Sequence, residues 1–463
     1  MSEKNKLYRR DFLKVLGGAV AATSTLAGCT YNKEKTRGGN TQQEVPTDKM
    51  SYRTLKKTGE KVSILGYGCM RWPTLPTPAP DGNVIDQEAV NELIDYAFEH
   101  GVNYYDTSPA YMQGWSERAT GIALKRHPRD KYFIATKLSN FSPDTWSREK
   151  SIEMYNNSLK YLQTDYIDFL LLHGIGMGGM DALKKRYLDN GILDFLVEER
   201  KAGRIKNLGF SYHGDIEVFD YLLSLHDTYK WDFVQIQLNY VDWDHAKEIN
   251  DRNTNASYLY PELEKRGIQV VIMEPLLGGR LSKLPDYLAS RLQKKRPQDS
   301  VASWAFRYAA SYPEVLTVLS GMTYMEHLQD NIRTYSPLES INEEENSLLE
   351  DTARLMLTYS LIPCTGCQYC MPCPYGLDIP AIFLHYNKCI CEEKISKSRN
   401  DENYKKARQA FLVGYDRSVP KLRQANHCIG CNQCSVHCPQ AIKIPEQLNL
   451  IDDYIEKLKQ NTL

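Results

Sequence analysis

From about residue 52 to 333, short apolar runs alternate with longer stretches whose apolar residues recur every three or four positions. The runs 102–106, 132–136, 167–173, 206–211, 233–238, 269–273 and 317–320 are almost continuously β-branched, aliphatic or aromatic. Strands buried on both faces have this character. The stretches 87–100, 147–162 and 183–203 are amphipathic at helical spacing and predict helices between the strands. Repeated strand–helix units over this length predict an α/β fold, a parallel barrel with its chemistry at the C-terminal strand ends. An open doubly wound sheet is the rival, but no Gly-x-Gly-x-x-Gly follows an early strand. Past residue 340 the pattern changes. Residues 342–359 read as a charged helix leaving the barrel, and 379–386, 404–413 and 421–426 carry helical rather than strand patterning. The expected units are therefore a barrel over 51–340 and a smaller, mainly helical domain over 341–463.

Composition narrows the functional classes. Of 463 residues 42% are apolar, which allows a substantial core. The formal net charge is -1 with no long basic run, so nucleic acid is a poor partner. Tyrosine is abundant at 31 residues, which fits half-buried packing with a wet hydroxyl and also sugar contacts. No stretch is long and apolar enough to span a membrane as a mature helix.

The first 29 residues read as a targeting segment. Tyr8-Arg9-Arg10-Asp11-Phe12-Leu13-Lys14 resembles a twin-arginine export signal, and a mild apolar stretch follows. It ends in Leu26-Ala27-Gly28-Cys29, which resembles a lipobox. These signals predict export by the twin-arginine route and a lipid anchor at Cys29 on the periplasmic side of a membrane, with several acyl chains for stable anchoring. Residues 30–50 are polar and predict a flexible tether.

Eight of the twelve cysteines lie in two runs, Cys364-x2-Cys367-x2-Cys370-x2-Cys373-Pro374 and Cys428-x2-Cys431-x2-Cys434-x3-Cys438-Pro439. Three thiolates at two-residue intervals can wrap one face of an iron–sulfur cube, and the cysteine before proline usually ligates the other cluster. Zinc ribbons would need two pairs per ion rather than two quartets, and disulfides between thiols so close in sequence are strained. The reading is two [4Fe-4S] clusters, and twin-arginine export, which carries folded proteins, suits cofactors inserted in the cytoplasm. The second run has the bacterial ferredoxin spacing and the first is one residue short before Cys373. The helical insert between the runs resembles the ferredoxin module of succinate dehydrogenase-type subunits. The ferredoxin pattern implies that Cys364, Cys367 and Cys370 share a cube with Cys438, and Cys428, Cys431 and Cys434 share one with Cys373. Cys389 and Cys391 lie in the insert without a third cysteine at cluster spacing and read as buried thiols.

Specific residues gather at the expected strand ends. Gly101-Val102-Asn103-Tyr104-Tyr105-Asp106-Thr107-Ser108-Pro109-Ala110-Tyr111 closes one strand, Ala135-Thr136-Lys137 the next, and Asp168-Phe169-Leu170-Leu171-Leu172-His173 the third. Over roughly 51–340 this resembles the aldo/keto reductase family, whose fold is a (β/α)8 TIM barrel. The resemblance implies a catalytic tetrad of Asp106, Tyr111, Lys137 and His173. The chemistry agrees: a phenol beside an ammonium is expected to ionise more readily than usual. Asp106 would hold Lys137, Tyr111 would pass a proton to or from a carbonyl or alcohol oxygen, and His173 would orient or polarise that oxygen.

The resemblance also implies an NAD or NADP cofactor. Ser211 and Gln235, with Gln237 as the register alternative, would take the nicotinamide amide. Pro275, Leu276 and Gly278 in Glu274-Pro275-Leu276-Leu277-Gly278-Gly279-Arg280 would take the pyrophosphate, and Gly321 and Asn331 the adenosine end. Gly321 and His327 stand near positions where many members carry Lys or Arg for the 2′-phosphate, which leaves NAD open. Met273 stands where an aromatic usually stacks on the nicotinamide, and Cys69 reads as a small buried residue. The expected function is an oxidoreductase moving hydride between a bound nicotinamide and a carbonyl or alcohol substrate, a sugar among the candidates. Electrons would pass through the two clusters to a redox partner protein. The alternatives are a plain reductase with structural clusters and an electron-transfer lipoprotein with an inactive barrel.

Overall fold

The computed structural model describes residues 45–359 and 361–463. The export signal, Cys29 and the tether up to residue 44 lie outside the described residues.

An antiparallel hairpin, β1 (Tyr52–Thr54) and β2 (Lys61–Ser63), comes first. Eight parallel strands follow: β3 (Leu65–Gly68), β4 (Tyr104–Asp106), β5 (Phe133–Leu138), β6 (Ile167–Ile175), β7 (Ile205–Tyr212), β8 (Phe233–Gln237), β9 (Gln269–Met273) and β10 (Val315–Ser320). They pair in chain order and β10 closes on β3, so the sheet is a barrel with no edge. The parallel barrel expected from the alternating pattern is the fold observed.

Two apolar cores explain the near-continuous hydrophobic strands. Tyr104, Ala135, Phe169, Leu171, Phe233, Val271 and Leu316 fill the barrel interior, joined by Leu55 and Val62 of the hairpin. Opposite-facing residues such as Ile134, Leu170, Leu208, Val234, Ile272 and Val318 pack in the layer beneath the helices. Interior side chains fill the barrel, so a ligand can enter only at its mouth.

The predicted helices start where side chains can satisfy free N–H groups. Asp86 accepts from Ala89 N at the head of Gln87–Glu99, and Ser147 accepts from Lys150 N at the head of Arg148–Leu162. The stretch expected as one helix over 183–203 is broken. A π-turn over Lys184–Leu188 precedes the helix Ile192–Lys201, because Gly191 takes a left-handed φ of 68° and Asn190 caps the new start. The tether expected to run to residue 50 is already packed at its end. Met50 is buried in the outer core, and Ser51 N donates to Tyr335 O.

After the barrel, Glu343–Met356 forms the charged helix, opened by a capping box between Asn342 and Glu345. Helices Ile379–Cys391, Tyr404–Ser418 and Ile444–Gln460 then pack around their own core of Ile382, Phe383, Phe411, Leu448, Ile451 and Ile455. The pattern at 421–426 gives two short 3-10 turns instead of a helix. Among the described residues no helix is long and apolar enough to cross a membrane.

Candidate active site

The C-terminal strand ends place four polar side chains around one cavity of about 210 Å³. Asp106 ends β4, Tyr111 stands on the short turn after it, Lys137 is near the end of β5, and His173 lies on β6. Parallel pairing of Asp106 with Ala135, and of Lys137 with Leu171, brings these ends level.

Lys137 Nζ donates to Asp106 Oδ1 at 2.5 Å and to Thr107 O at 2.9 Å. Both side chains are almost fully buried, so each charge depends on the other. The ammonium sits 4.8 Å from the centre of the Tyr111 ring. Such an ammonium is expected to lower the Tyr111 pKa, but the shift runs the other way. Burial holds the phenol well above its usual value, and the Asp106 charge adds to the effect. Tyr111 is therefore a protonated phenol.

His173 meets the Tyr111 ring edge-on at 5.9 Å. Ser139 Oγ lies 2.6 Å from its Nδ1, and Ser108 Oγ lies 2.8 Å from Ser139 Oγ. With Ser139 donating to Nδ1, the ring proton would stand on Nε2. Burial holds His173 well below its usual pKa, and the Lys137 charge adds to this, so the ring is neutral. The ensemble can do one thing well: present a phenol O–H and an imidazole N–H to a substrate oxygen in one cavity. Glu117 backs the site. Its carboxylate accepts from Thr136 Oγ1 at 2.6 Å, and burial pushes its pKa up to about 7.

The rest of the cavity wall includes Ser211, Gln235, Met273, Pro275, Leu276, Gly278 and Gly321. A family model described as "Aldo/keto reductase family" matches residues 64–353. The chain belongs to the aldo/keto reductase family. It is 28% identical to an L-galactose dehydrogenase of Arabidopsis thaliana, over 66% of this chain and 95% of that protein. It is 26% identical to an uncharacterized oxidoreductase, YqkF, of Bacillus subtilis, over 65% of this chain and 97% of that protein. Among solved structures, the holo form of aldo-keto reductase AKR11C1 from Bacillus halodurans has a TM-score of 0.51 at 24% identity, over 65% of this chain and 96% of that chain. That likeness concerns the fold. Both cysteine runs lie beyond the matched span.

Aldo/keto reductases use NAD(P)H, and the wall has features that fit a nicotinamide. Ser211 Oγ accepts from Gly174 N, and Gln235 Oε1 is buried with no hydrogen-bond partner among the described residues. A carboxamide N–H would satisfy that oxygen. Gln237, the register alternative, faces a small side pocket with His213 and Asp242 rather than this cavity. Asn331 is absent from the cavity wall and donates to Ser320 Oγ at 2.9 Å. Cys69 is fully buried, as expected of a small packing residue.

The loop assigned to the pyrophosphate is covered by the C-terminal part of the chain. A Cβ on Gly278 would come 2.4 Å from Thr365 Cα. Arg71 donates to Thr365 O, and its side chain lies against Gly321 and Gly366. A dinucleotide lying along Gly278 therefore requires the segment 364–367 to shift. Sequence reasoning missed Arg71, Ser108, Ser139, Thr365, Tyr369 and Gln440, the last three contributed to the cavity by the cysteine-bearing part of the chain.

Proposed function

We propose that the protein is an oxidoreductase exchanging hydride between a nicotinamide seated at the barrel mouth and a carbonyl or alcohol group of a sugar, with two [4Fe-4S] clusters linking the site to one-electron carriers. One observation carries the reading: Asp106, Tyr111, Lys137 and His173 converge on a single cavity beside the unpartnered Gln235. A bound nicotinamide supplies or accepts the hydride. Tyr111 gives its proton to the substrate oxygen in reduction, or takes one from it in oxidation. His173 polarises the same oxygen through Nε2. Lys137, fixed by Asp106, stabilises negative charge that develops there. The sugar class is supported by the L-galactose dehydrogenase relative and by a cavity walled with tyrosine, histidine and glutamine.

Neighbouring thiols across the two runs support the cluster reading. Burial raises the Cys364, Cys367 and Cys370 thiols, Cys367 to about 11, and the neighbouring thiol of Cys438 adds to the effect on each. Burial likewise raises Cys434, where Cys428 and Cys373 are the neighbours that add to it. The first group is the set of four that the ferredoxin pattern implies, and the second contains three members of the other set, Cys428, Cys434 and Cys373. Among the described residues no three Cys, His, Asp or Glu converge to hold a single metal ion. Cube ligands need not converge, because each thiolate holds its own iron. Cys364, Cys367, Cys370 and Cys438 would hold one cluster, and Cys428, Cys431, Cys434 and Cys373 the other. When bound, the two supply two one-electron steps, which matches the two electrons of a hydride. The N-terminal motifs support export by the twin-arginine route, a lipid anchor at Cys29 and work on the periplasmic side of a membrane.

Anaerobic purification followed by mass analysis and visible spectroscopy tests the reading. A retained or acceptable nicotinamide, iron near eight atoms per chain and substrate-dependent bleaching are expected. Tyr111→Phe should cut turnover by about 10²-fold or more with iron unchanged. Unchanged turnover in that variant would overturn the catalytic assignment.

A further inference from the structure

Beside the cavity at Tyr111 lies a second, larger space of about 1070 Å³. Met70, Arg71, Tyr111, Phe141, Met177, Cys367 and Tyr369 border both, so the two adjoin. The inner compartment lies below the roughly 300–1,000 Å³ usual for ligand pockets, while the outer one slightly exceeds that range. The inner space suits the reacting group, and the outer space would receive whatever is attached to it.

Three observations mark the outer cleft as a built site. Trp146 borders it, and its indole N–H is buried with no hydrogen-bond partner among the described residues. A buried indole N–H ordinarily finds an acceptor. Phe141 and Tyr369 stand at the junction with ring centres 6.2 Å apart, and Phe141 lies 4.8 Å from the His173 ring. Three non-glycine residues on the cleft, Met112, Gln113 and Gln368, hold left-handed backbone with φ of 50°, 57° and 65°. Such strain persists where surrounding structure enforces it, and it gathers at ligand sites. Gln113 and Gln368 are exposed, so their amides are available to hydroxyl groups.

We propose that the outer cleft is a subsite for a second sugar unit, so that the substrate is a disaccharide or larger glycoside. Tyr369 stands at the junction of the two units, and Trp146 donates to an oxygen of the outer one. Aromatic faces bordered by amides, Asp181 and Arg71 suit a molecule with apolar ring faces and polar edges. The inference rests on the sugar reading above. It adds that the cysteine-bearing segment, through Tyr369, determines which sugars are accepted.

The test uses the full holoprotein with free glucose and galactose against maltose, cellobiose and lactose, measuring kcat/KM and calorimetric binding. At least one disaccharide should exceed its free hexose by about tenfold or more in kcat/KM or affinity. Trp146→Phe should lower that preference ratio by about threefold to tenfold. Tyr369→Ala should lower it further, and Tyr369→Phe should restore most of it. Iron content should match the parent in all three. Equal kcat/KM for hexoses and disaccharides would overturn the cleft assignment while sparing the proposed function. No binding of any disaccharide, or ratios that the variants leave unmoved, would also overturn it. Tyr111-dependent reduction of a simple aldehyde, with no sugar bound, would overturn the sugar class while leaving the reductase.

Discussion

The Lys137–Asp106 pair offers the most quantitative test of the site. The two side chains are 1% and 3% exposed, and Asp106 Oδ2 has no partner of its own among the described residues. Removing one member strands a buried charge, which costs about 3–5 kcal/mol, whereas replacing both with apolar groups of similar volume is near neutral. Asp106→Asn should sit at the low end, because the new amide oxygen and Thr107 O still accept from the ammonium. Lys137→Met should cost more at pH 8 than at pH 5. Burial already raises the Asp106 pKa, so the orphaned carboxyl can take up a proton at the lower pH and shed its charge. The double variant Asp106→Leu with Lys137→Met should return to within about 1 kcal/mol of the parent, a coupling of several kcal/mol between neighbours. None of the three should recover turnover. Urea unfolding followed by fluorescence at the two pH values, beside steady-state kinetics, measures all of this. A double variant as unstable as the sum of the singles would refute the buried-pair argument. Normal turnover in it would refute the catalytic one.

Three further outcomes follow from the same geometry. Glu117→Gln should make stability less dependent on pH. A carboxyl raised from 4.5 to about 7 on folding disfavours the folded state once ionised, so the parent loses stability as pH rises through that interval. At 1.36 kcal/mol per pH unit the variant should gain roughly 3 kcal/mol over the parent by pH 8 and nothing below pH 4.5. Parallel unfolding curves for the two at all pH values would count against it. The kcat/KM profile should show no limb near pH 6.5 from His173, because burial keeps that ring neutral, and a pH–rate series reads it directly. Arg71→Ala should speed release of bound nicotinamide by about tenfold or more, since it removes the charged hydrogen bond fastening Thr365 over Gly278. Stopped-flow displacement by excess NAD measures the rate.

The barrel is legible in the sequence because each strand is apolar on both faces, a pattern that alternating or helical segments do not share. Its strand limits shift by at most two residues: β4 starts at Tyr104 rather than 102, and β6 continues past His173 to Ile175. Such shifts reflect ladder hydrogen bonds that composition does not encode. The break at Gly191 is hidden because the apolar spacing continues across it. The helix Ile444–Gln460 could have been found from Ile444, Leu448, Ile451, Ile455 and Leu458, which recur at helical intervals. The four tetrad residues are legible as residue types at successive strand ends. The partners that tune them are not. Ser139 reaches His173 across 34 residues and Arg71 reaches Thr365 across 294, so no local window contains either pair. The direction of the Tyr111 shift is not legible in the sequence for a related reason. Proximity of Lys137 follows from the motif, but the degree of burial that outweighs it belongs to the assembled fold.

A test of whether the proposed clusters would carry electrons or only hold the C-terminal helices together turns on choosing the right cysteine. Cys367 borders the same cavity as Tyr111, and Cys364 and Cys367 flank the Thr365 that lies on Gly278. Replacing a cysteine of that run would disturb the cofactor loop and the Tyr369 wall even if no electron ever passed. Loss of turnover there would not distinguish the two roles. Cys431 is different: it is exposed, belongs to the second run and is absent from the cavity wall. Cys431→Ser should therefore strip iron from the second set while leaving the substrate wall in place. If electrons leave through that cluster, turnover with an external one-electron acceptor should fall at least tenfold, while turnover with added nicotinamide should hold. Equal losses in both assays would mean that the cluster acts through stability. Equal retention in both would remove it from the electron path.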